Sequence, residues 1–523
     1  MSSAPPGPST KAVMARGAGL ALLGRSGALI ELVSFFLFTQ MYGSQTFGLF
    51  MTMWGLVQGL AIVSDFGMTM ALQRFIPGAE NEVAAGRVLK YAVNTTLAIS
   101  CLIGLGMFLA APALAGVINA NEQDSAHLVT IIRIYALAVP LWSMVEVATG
   151  AIRARSIFGP EVKVRIFYEQ GFRLLFGVLF WMIGVVSLGL FISHLMGLAV
   201  TAAFAFRLVH KHYGLGHLVA RTGLGRALGK EMVAYSSSMM LPNFAKKWHS
   251  WLPVIFLNIM LPGARGAEAA GVYAAARKLV SVLNVFRESF EYVLAPLASA
   301  NSGKDDRANL REMLAFATRV SVPAFIPMAT LVICYRHELL RQSGSEFVAG
   351  AGALLILVVG RSLEVTWGPS TSILAMIGKY RIPFINAAAG VAVTALLAFL
   401  LIPHPEYFGG GLRGSMVAAA LAAAGGINIS AVLGFLQVRY IYGLKPYDRR
   451  LFRPVAVSVA ISLAMALLFD VTEGMWRAGY FILGIVTLIV AMLALMRFGF
   501  TREDAQLVVP KKLARRLPFL LRR

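Results

Sequence analysis

Fourteen apolar runs of membrane-span length follow one another along the chain, near residues 18–41, 47–72, 91–116, 128–149, 169–187, 189–209, 232–260, 271–298, 313–335, 351–377, 384–403, 411–437, 454–470 and 479–497. A run of about 20 apolar residues crosses hydrocarbon as a helix, because only a helix or a closed barrel satisfies every backbone donor and acceptor without water. The expected fold class is therefore an all-α polytopic membrane protein with about fourteen transmembrane helices. Composition agrees, since 58% of the 523 residues are hydrophobic and 14% charged, where a soluble domain carries about a quarter charged residues. Spans of this number leave no room for a large extramembrane domain.

A net charge of +22 raises nucleic acid as a partner until the cations are sorted by position. Arg74, Arg87 and Lys90, then Arg153, Arg155, Lys163 and Arg165, then Arg207, Lys211, Arg221, Arg226 and Lys230 fill successive even-numbered connections. Later even-numbered connections continue the series. The odd-numbered ones hold few cations, and the one after the third run, Asn119 to Asp124, is acidic. Lys and Arg are retained on the cytoplasmic side, so both termini are expected there, and topology accounts for the charge without nucleic acid. The tail interleaves Lys511, Lys512, Arg515, Arg516, Arg522 and Arg523 with Leu, Val and Phe, the pattern of a short amphipathic helix on anionic lipid. Cys101 and Cys334 both lie in or near apolar runs, which gives neither a disulfide framework nor a cysteine metal site.

Two runs carry more charge than lipid tolerates. The run 232–260 contains Ser236, Asn243, Lys246, Lys247, Ser250 and Asn258, and its Pro242 and Pro253 each remove a backbone donor, inviting a kink or break. In 271–298, at about 100° per residue, Ser281, Asn284, Glu288 and Glu291 fall within about 40° of Arg277, one polar stripe on an apolar helix. A charge at mid-bilayer costs a few kcal/mol or more, so such residues face a bundle interior or a wet cavity. Structural pairing competes with this reading, Arg287 with Glu291 at i, i+4 or Arg361 with Glu364 at i, i+3. Snorkelling would serve Arg277 and Lys278, but does not explain Lys246 and Lys247 near mid-segment. Glu31 and Glu146 are weaker candidates, and Arg133, Arg173 and Arg319, near span ends, read as snorkelling.

An internal repeat is legible. The second run opens Gly48-Leu49-Phe50 and the eighth Gly271-Val272-Tyr273, and seventeen residues beyond each glycine stands an acid, Asp65 or Glu288. Six runs separate the copies, so the halves are expected to share one membrane orientation, as two bundles around a midplane site. The expected layout is a disordered cytoplasmic tail at 1–17, an N-terminal bundle at 18–209, a basic cytoplasmic linker at 210–230 and a C-terminal bundle at 231–437. A final helix pair follows at 438–497, then a basic amphipathic tail at 498–523.

The segments GRSGALIE (Gly24 to Glu31), YGSQTFGLF (Tyr42 to Phe50) and DFGMTMALQRFIP (Asp65 to Pro77) resemble the Wzx-type polysaccharide flippases of the multidrug/oligosaccharidyl-lipid/polysaccharide (MOP) exporter superfamily. Ala269 to Leu279, Ile377 to Pro383 and Leu401 to Ala420 continue the likeness in the expected order, across the first twelve runs. The resemblance implies a V-shaped, two-lobed bundle in a bacterial inner membrane. By alternating access it would move oligosaccharides linked to polyprenyl diphosphate from the cytoplasmic to the periplasmic leaflet, for exopolysaccharide, capsule or O-antigen assembly. A diphosphate needs cations in a wet cavity, which Arg25, Lys246, Lys247, Arg277, Arg287 and Arg361 are placed to supply. Asn243, Ser250 and Asn284 would meet sugar hydroxyls. Asp65, Glu288, Glu291 and Glu364 would neutralise the cations in the empty state, or bind the H⁺ or Na⁺ that resets the cycle. No other cofactor, no metal and no enzymatic chemistry is expected, and the chain is expected to act as a monomer with polymerase or assembly proteins as partners. Rival readings are a lipid II flippase or multidrug exporter of the same superfamily, a membrane polysaccharide polymerase or ligase, and a scaffold. The enzyme reading lacks a long external loop, a metal cluster, a nucleophile elbow and a phosphate loop.

Overall fold

The computed structural model describes residues 10–157, 159–214, 223–301, 307–367, 370, 374, 381–444, 446–472, 477–501 and 504, apart from the side chains of 10–29, 161–162, 166, 246, 284–301, 307–310, 313 and 477–478. Within them the chain is helical and no strand forms. Ten helices among the described residues are long and apolar enough to cross a membrane, against the fourteen expected. The shortfall has physical causes. The first two runs form two helices that meet at a kink at Gly43 and count as one stretch, labelled α1 (Thr10–Asp65). The fifth run yields a helix of only 14 residues, Glu169–Met182. The two charged runs are too polar or too short over their described parts, and they form Arg226–Trp248, Leu252–Met260 and Ala264–Asn301.

The chain folds as two compact units, Met1–Trp251 with Leu261–Gly271, and Leu252–Met260 with Val272–Arg523. The change from one to the other comes at the break 249–251 rather than in the basic connector 210–230. Proline explains only part of that break. Pro242 sits inside the helix Arg226–Trp248 without ending it, whereas Pro253 opens the next helix, where its missing N–H would lack a partner anyway.

In the first unit, α1 is followed by α2 (Met68–Phe75), α3 (Glu82–Leu109), α4 (Leu128–Tyr135), α5 (Ala138–Ala154), α6 (Glu169–Met182), α7 (Gly189–Tyr213) and α8 (Arg226–Trp248). Two glycines shape its start. Gly43 takes φ 71° inside α1, and Gly67 takes φ 75° between α1 and α2, a left-handed region open mainly to glycine. Asp65 secures the second bend by accepting hydrogen bonds from the Thr69 hydroxyl at 2.6 Å and the Thr69 amide at 3.2 Å. Where α1 meets the segment 261–271, backbones touch: a Cβ at Gly48 would strike the carbonyl of Ala267, and one at Gly271 that of Ser44. Lipid offers no hydrophobic drive for helix pairing, so close packing through small residues does this work. The repeat's two opening glycines are thus the crossing point. A buried cluster including Met68, Leu72, Val88, Leu89, Val147, Ile152, Val209 and Met232 joins α2, α3, α5, α7 and α8.

The second unit contains α9 (Leu252–Met260), most of α10 (Ala264–Asn301), α11 (Arg307–Cys334), α12 (Ala351–Thr366), α13 (Arg381–Leu401), α14 (Gly411–Tyr440), α15 (Phe452–Val471) and α16 (Arg477–Ala494). Here α14 packs on α12 and α13, and α11 on α15. Asn386 and Gln437 tie α13 to α14 by reciprocal amide hydrogen bonds of 2.6 and 2.8 Å. Arg319 does not snorkel, as its position near a span end predicted. It is 4% exposed and bound to Asp448 and to Asp504, the latter at 3.0 Å. Its guanidinium binds the segment after α14 and the one after α16 to α11. Beyond Asp504 the expected amphipathic tail lies outside the described residues.

Candidate functional site

The densest charge in the first unit centres on Glu146. It sits eight residues before the end of α5 at Ala154, about 12 Å along the axis, too deep to reach that end by side-chain length alone. Arg165 reaches it from a turn of π-helix, Lys163–Tyr168, that leads into α6. Such wide turns reorient side chains and recur at functional sites. Arg165 Nη1 and Nη2 donate to Glu146 Oε2 and Oε1 at 3.0 Å each, a bidentate pair of the strong, geometrically specific kind. Lys247, one residue before the end of α8, holds its Nζ 3.9 Å from Glu146 Oε1, beyond hydrogen-bonding distance. The side chains of Glu146, Arg165 and Lys247 are 13%, 25% and 51% exposed.

Around this trio, Arg153 lies within electrostatic range of Glu146, and Asp65 within range of both Glu146 and Lys247. Glu169, 5% exposed, feels Arg165, Arg173, Glu146 and Glu31. Arg165 also rests 5.1 Å over the Trp142 ring, which fixes the guanidinium plane. Two cations therefore converge on one carboxylate, and the second keeps its ammonium half-exposed. A half-exposed ammonium on a membrane helix needs water rather than lipid beside it. Such a group can take an anion, and Arg165 can join it once Glu146 yields one of its oxygens.

The other sequence-derived candidates scatter. In α8, Asn243 is half-buried, and Ser250 follows in the exposed turn, its hydroxyl donating to the Lys247 carbonyl at 3.1 Å. Ser236 is buried against Met68, and a Cβ at Gly67 would strike its carbonyl, so this serine packs α8 on the bend. Asp65 serves that bend as well as the charge cluster. In the second unit Arg361 donates to Glu364 at 2.6 Å, the i, i+3 pair that competed with a substrate role. Arg277, half-buried on α10, and Arg361 both lie within electrostatic range of Tyr273. The side chains of Arg25, Lys246, Asn284, Arg287, Glu288 and Glu291 lie outside the described residues. Among the described residues no group of three His, Cys, Asp or Glu is placed to hold a metal ion.

Sequence reasoning undervalued Glu146 and assigned Arg165 to a positive cytoplasmic loop. The available signal was an acid inside the apolar run 128–149. That an arginine 19 residues later would chelate it depends on the π-helical turn, which no periodicity announces.

Comparison with known proteins assigns the chain. The sequence model of one family, described as polysaccharide biosynthesis protein, matches residues 14–302, more than half of the chain. The chain belongs to the polysaccharide biosynthesis protein family. Glu146, Arg165, Lys247 and Asp65 all fall within the matched stretch. The chain is 22% identical over 430 residues to the probable low-salt glycan biosynthesis flippase Agl15 of Haloferax volcanii, covering 80% of this chain and 82% of that one. It is 24% identical over 362 residues to the uncharacterized membrane protein YabM of Bacillus subtilis, covering 64% and 66%. Its fold is similar to that of the lipid II flippase MurJ in an inward closed conformation, with TM-score 0.68 and 13% identity over 90% of this chain and 97% of that one. An inward-facing multidrug resistance MATE transporter of the MOP superfamily gives TM-score 0.61 and 15% identity over 81% and 98%. This member of the polysaccharide biosynthesis protein family is thus a multi-pass helical membrane protein whose fold is similar to that of these two proteins.

Proposed function

We propose that the protein is a flippase for oligosaccharides linked to polyprenyl diphosphate. Its diphosphate site would be built on Lys247 and Arg165, with Glu146 as the internal anion that holds both in the empty state. The observation that carries this reading is the half-exposed Lys247 ammonium, 3.9 Å from a carboxylate already chelated by Arg165. A diphosphate offers more charge and more acceptor oxygens than one carboxylate, so it can displace Glu146 from the cations. Glu146 then competes the diphosphate off again, which permits release. The family match and the likeness to a glycan biosynthesis flippase support the substrate class.

The distribution of Lys and Arg supports a bacterial inner membrane with both termini cytoplasmic, the cytoplasmic leaflet being the loading side. The test is the lipid-linked glycan of cells lacking the protein, with its leaflet read by a periplasmic modifying enzyme. A single repeat unit on polyprenyl diphosphate, trapped facing the cytoplasm, is the expected result. The same unit accumulating unpolymerised in the periplasm would transfer the protein to the polymerase or scaffold class, and accumulated lipid II would make it a cell-wall flippase.

A further inference from the structure

The first unit holds a second ionisable group that the diphosphate site does not use. His194, in the second turn of α7, is 0% exposed. Its Nδ1 lies 2.6 Å from the Tyr135 hydroxyl, and its Nε2 is buried with no hydrogen-bond partner among the described residues. Aromatic rings enclose the imidazole. Trp54 meets it at 4.4 Å and 79°, Phe50 at 5.4 Å and 74°, and Tyr135 at 5.8 Å. Phe191 closes the cage by packing on both Phe50 and Tyr135.

The simplest account makes His194 an aromatic spacer, its Nε2–H resting on a neighbouring ring. A phenylalanine would fill that role without burying polar atoms. In either neutral tautomer the Tyr135–His194 pair leaves one capacity unspent. If the tyrosine donates to Nδ1, the Nε2–H lacks an acceptor. If Nδ1–H donates to the tyrosine, the Nε2 lone pair is an unused base. Trp54 and Phe50 meet the imidazole in T-shaped contacts, and where such a contact turns a ring face to a buried cation the aromatic quadrupole stabilises it. An ionisable residue inside a membrane bundle, with a hydrogen-bonded partner, marks an ion pathway or relay by default.

We infer that the Tyr135–His194 pair binds the proton that drives translocation, an inference that rests on the transport reading above. With Nδ1–H donating to Tyr135, hydronium gives one proton to the Nε2 lone pair and leaves as water. The resulting imidazolium donates Nδ1–H to the Tyr135 oxygen and presents Nε2–H to the rings, while Tyr135 keeps its hydroxyl proton and no other bond breaks. Every ring of the cage is 8% exposed or less, so the proton enters and leaves only when α1, α4 and α7 part at this point. Proton occupancy is thereby linked to the unit's conformation.

The groups that face the pair are few among the described residues. Tyr135 comes from α4, aromatic rings come from α1, and Arg173 from α6 acts electrostatically on both members. A second positive charge opposes the first, so the proton binds best when Arg173 is withdrawn. From α5, Trp142 meets Trp54 edge-on at 4.9 Å, and Arg165 lies over Trp142. Unbroken contacts therefore run from His194 to the guanidinium that grips Glu146.

The full-length protein in lipid nanodiscs tests this without any substrate. Protonated imidazole quenches indole emission, and the Trp54 signal is the difference between wild type and Trp54→Phe. That signal is expected to fall sigmoidally as the pH is lowered, because histidine is the side chain that gains a charge on acidification. His194→Gln, which keeps a polar group beside Tyr135, should abolish the fall, and Tyr135→Phe should move its midpoint. In cells, glycan export by His194→Gln should lose its dependence on the transmembrane pH gradient. A flat Trp54 signal in wild type, a titration that survives in His194→Gln, or a response to Na⁺ in place of pH overturns the inference. Should His194→Gln not insert, an unchanged midpoint in Tyr135→Phe does the same. None of these outcomes bears on the diphosphate reading, which stands or falls on the leaflet of the accumulated glycan.

Discussion

Two arginine–carboxylate clusters, one in each compact unit, use the same chemistry to different ends. In the second unit Arg319 meets two carboxylates, and the side chains of Arg319, Asp504 and Asp448 are 5%, 6% and 29% exposed. Asp448 further caps the turn at Leu451, accepting from its amide at 3.1 Å, and Asp504 accepts from the Thr501 hydroxyl at 2.8 Å. Every partner is occupied in holding chain segments together. In the first unit one carboxylate faces two cations, and exposure rises from Glu146 through Arg165 to Lys247. The difference teaches that a membrane charge is read by what its cluster leaves unspent. A closed cluster is a fastening, and one with an accessible surplus of charge is a binding site.

Substitutions separate the two classes. Arg319→Ala should have the largest effect on stability, since it leaves the buried Asp504 and the part-exposed Asp448 without their cation, and losing one partner of a buried cluster costs about 3–5 kcal/mol. Thermal unfolding in detergent and the amount of protein in the membrane would show it, and wild-type values for both would refute the fastening. Gly271→Ala comes next, at about 1–3 kcal/mol, because its Cβ meets the Ser44 backbone rather than a movable side chain. Lys247→Ala should change stability by no more than about 1 kcal/mol, as for other exposed ion pairs, yet abolish glycan export. Normal export from a stably inserted variant would remove Lys247 from the site. Arg361→Ala has the smallest expected effect on export, which stays near wild type; it costs stability instead, since it takes the Arg361 cation from Glu364, whose side chain is 11% exposed. A loss of export as complete as that of Lys247→Ala would place a second anion site in the second unit.

Much of the architecture was legible in order and kind. Apolar run lengths gave helices where helices stand, and the bend before the second run coincides with Gly43. The matched glycines Gly48 and Gly271 proved to be a crossing, because the feature that makes a glycine visible in sequence, a missing side chain, is what lets two backbones touch. Lys247 stood out because no snorkelling path suited it. Glu146 was ranked low and Arg165 was placed in a loop, since their meeting depends on the π-helical turn 163–168, which carries Arg165 to Glu146 on α5. Arg319 was misread for a similar reason: its partners arrive from segments 129 and 185 residues away.

The sequence by itself determined the solvent this protein folds in, its helical class and the family it resembles. These depend on composition and local period, which each stretch of chain carries alone. Only the tertiary structure decided which buried charges are spent and which remain available. That depends on the third partner in each cluster, the second aspartate at Arg319 and the lysine at Glu146, and a third partner is supplied by packing rather than by spacing along the chain.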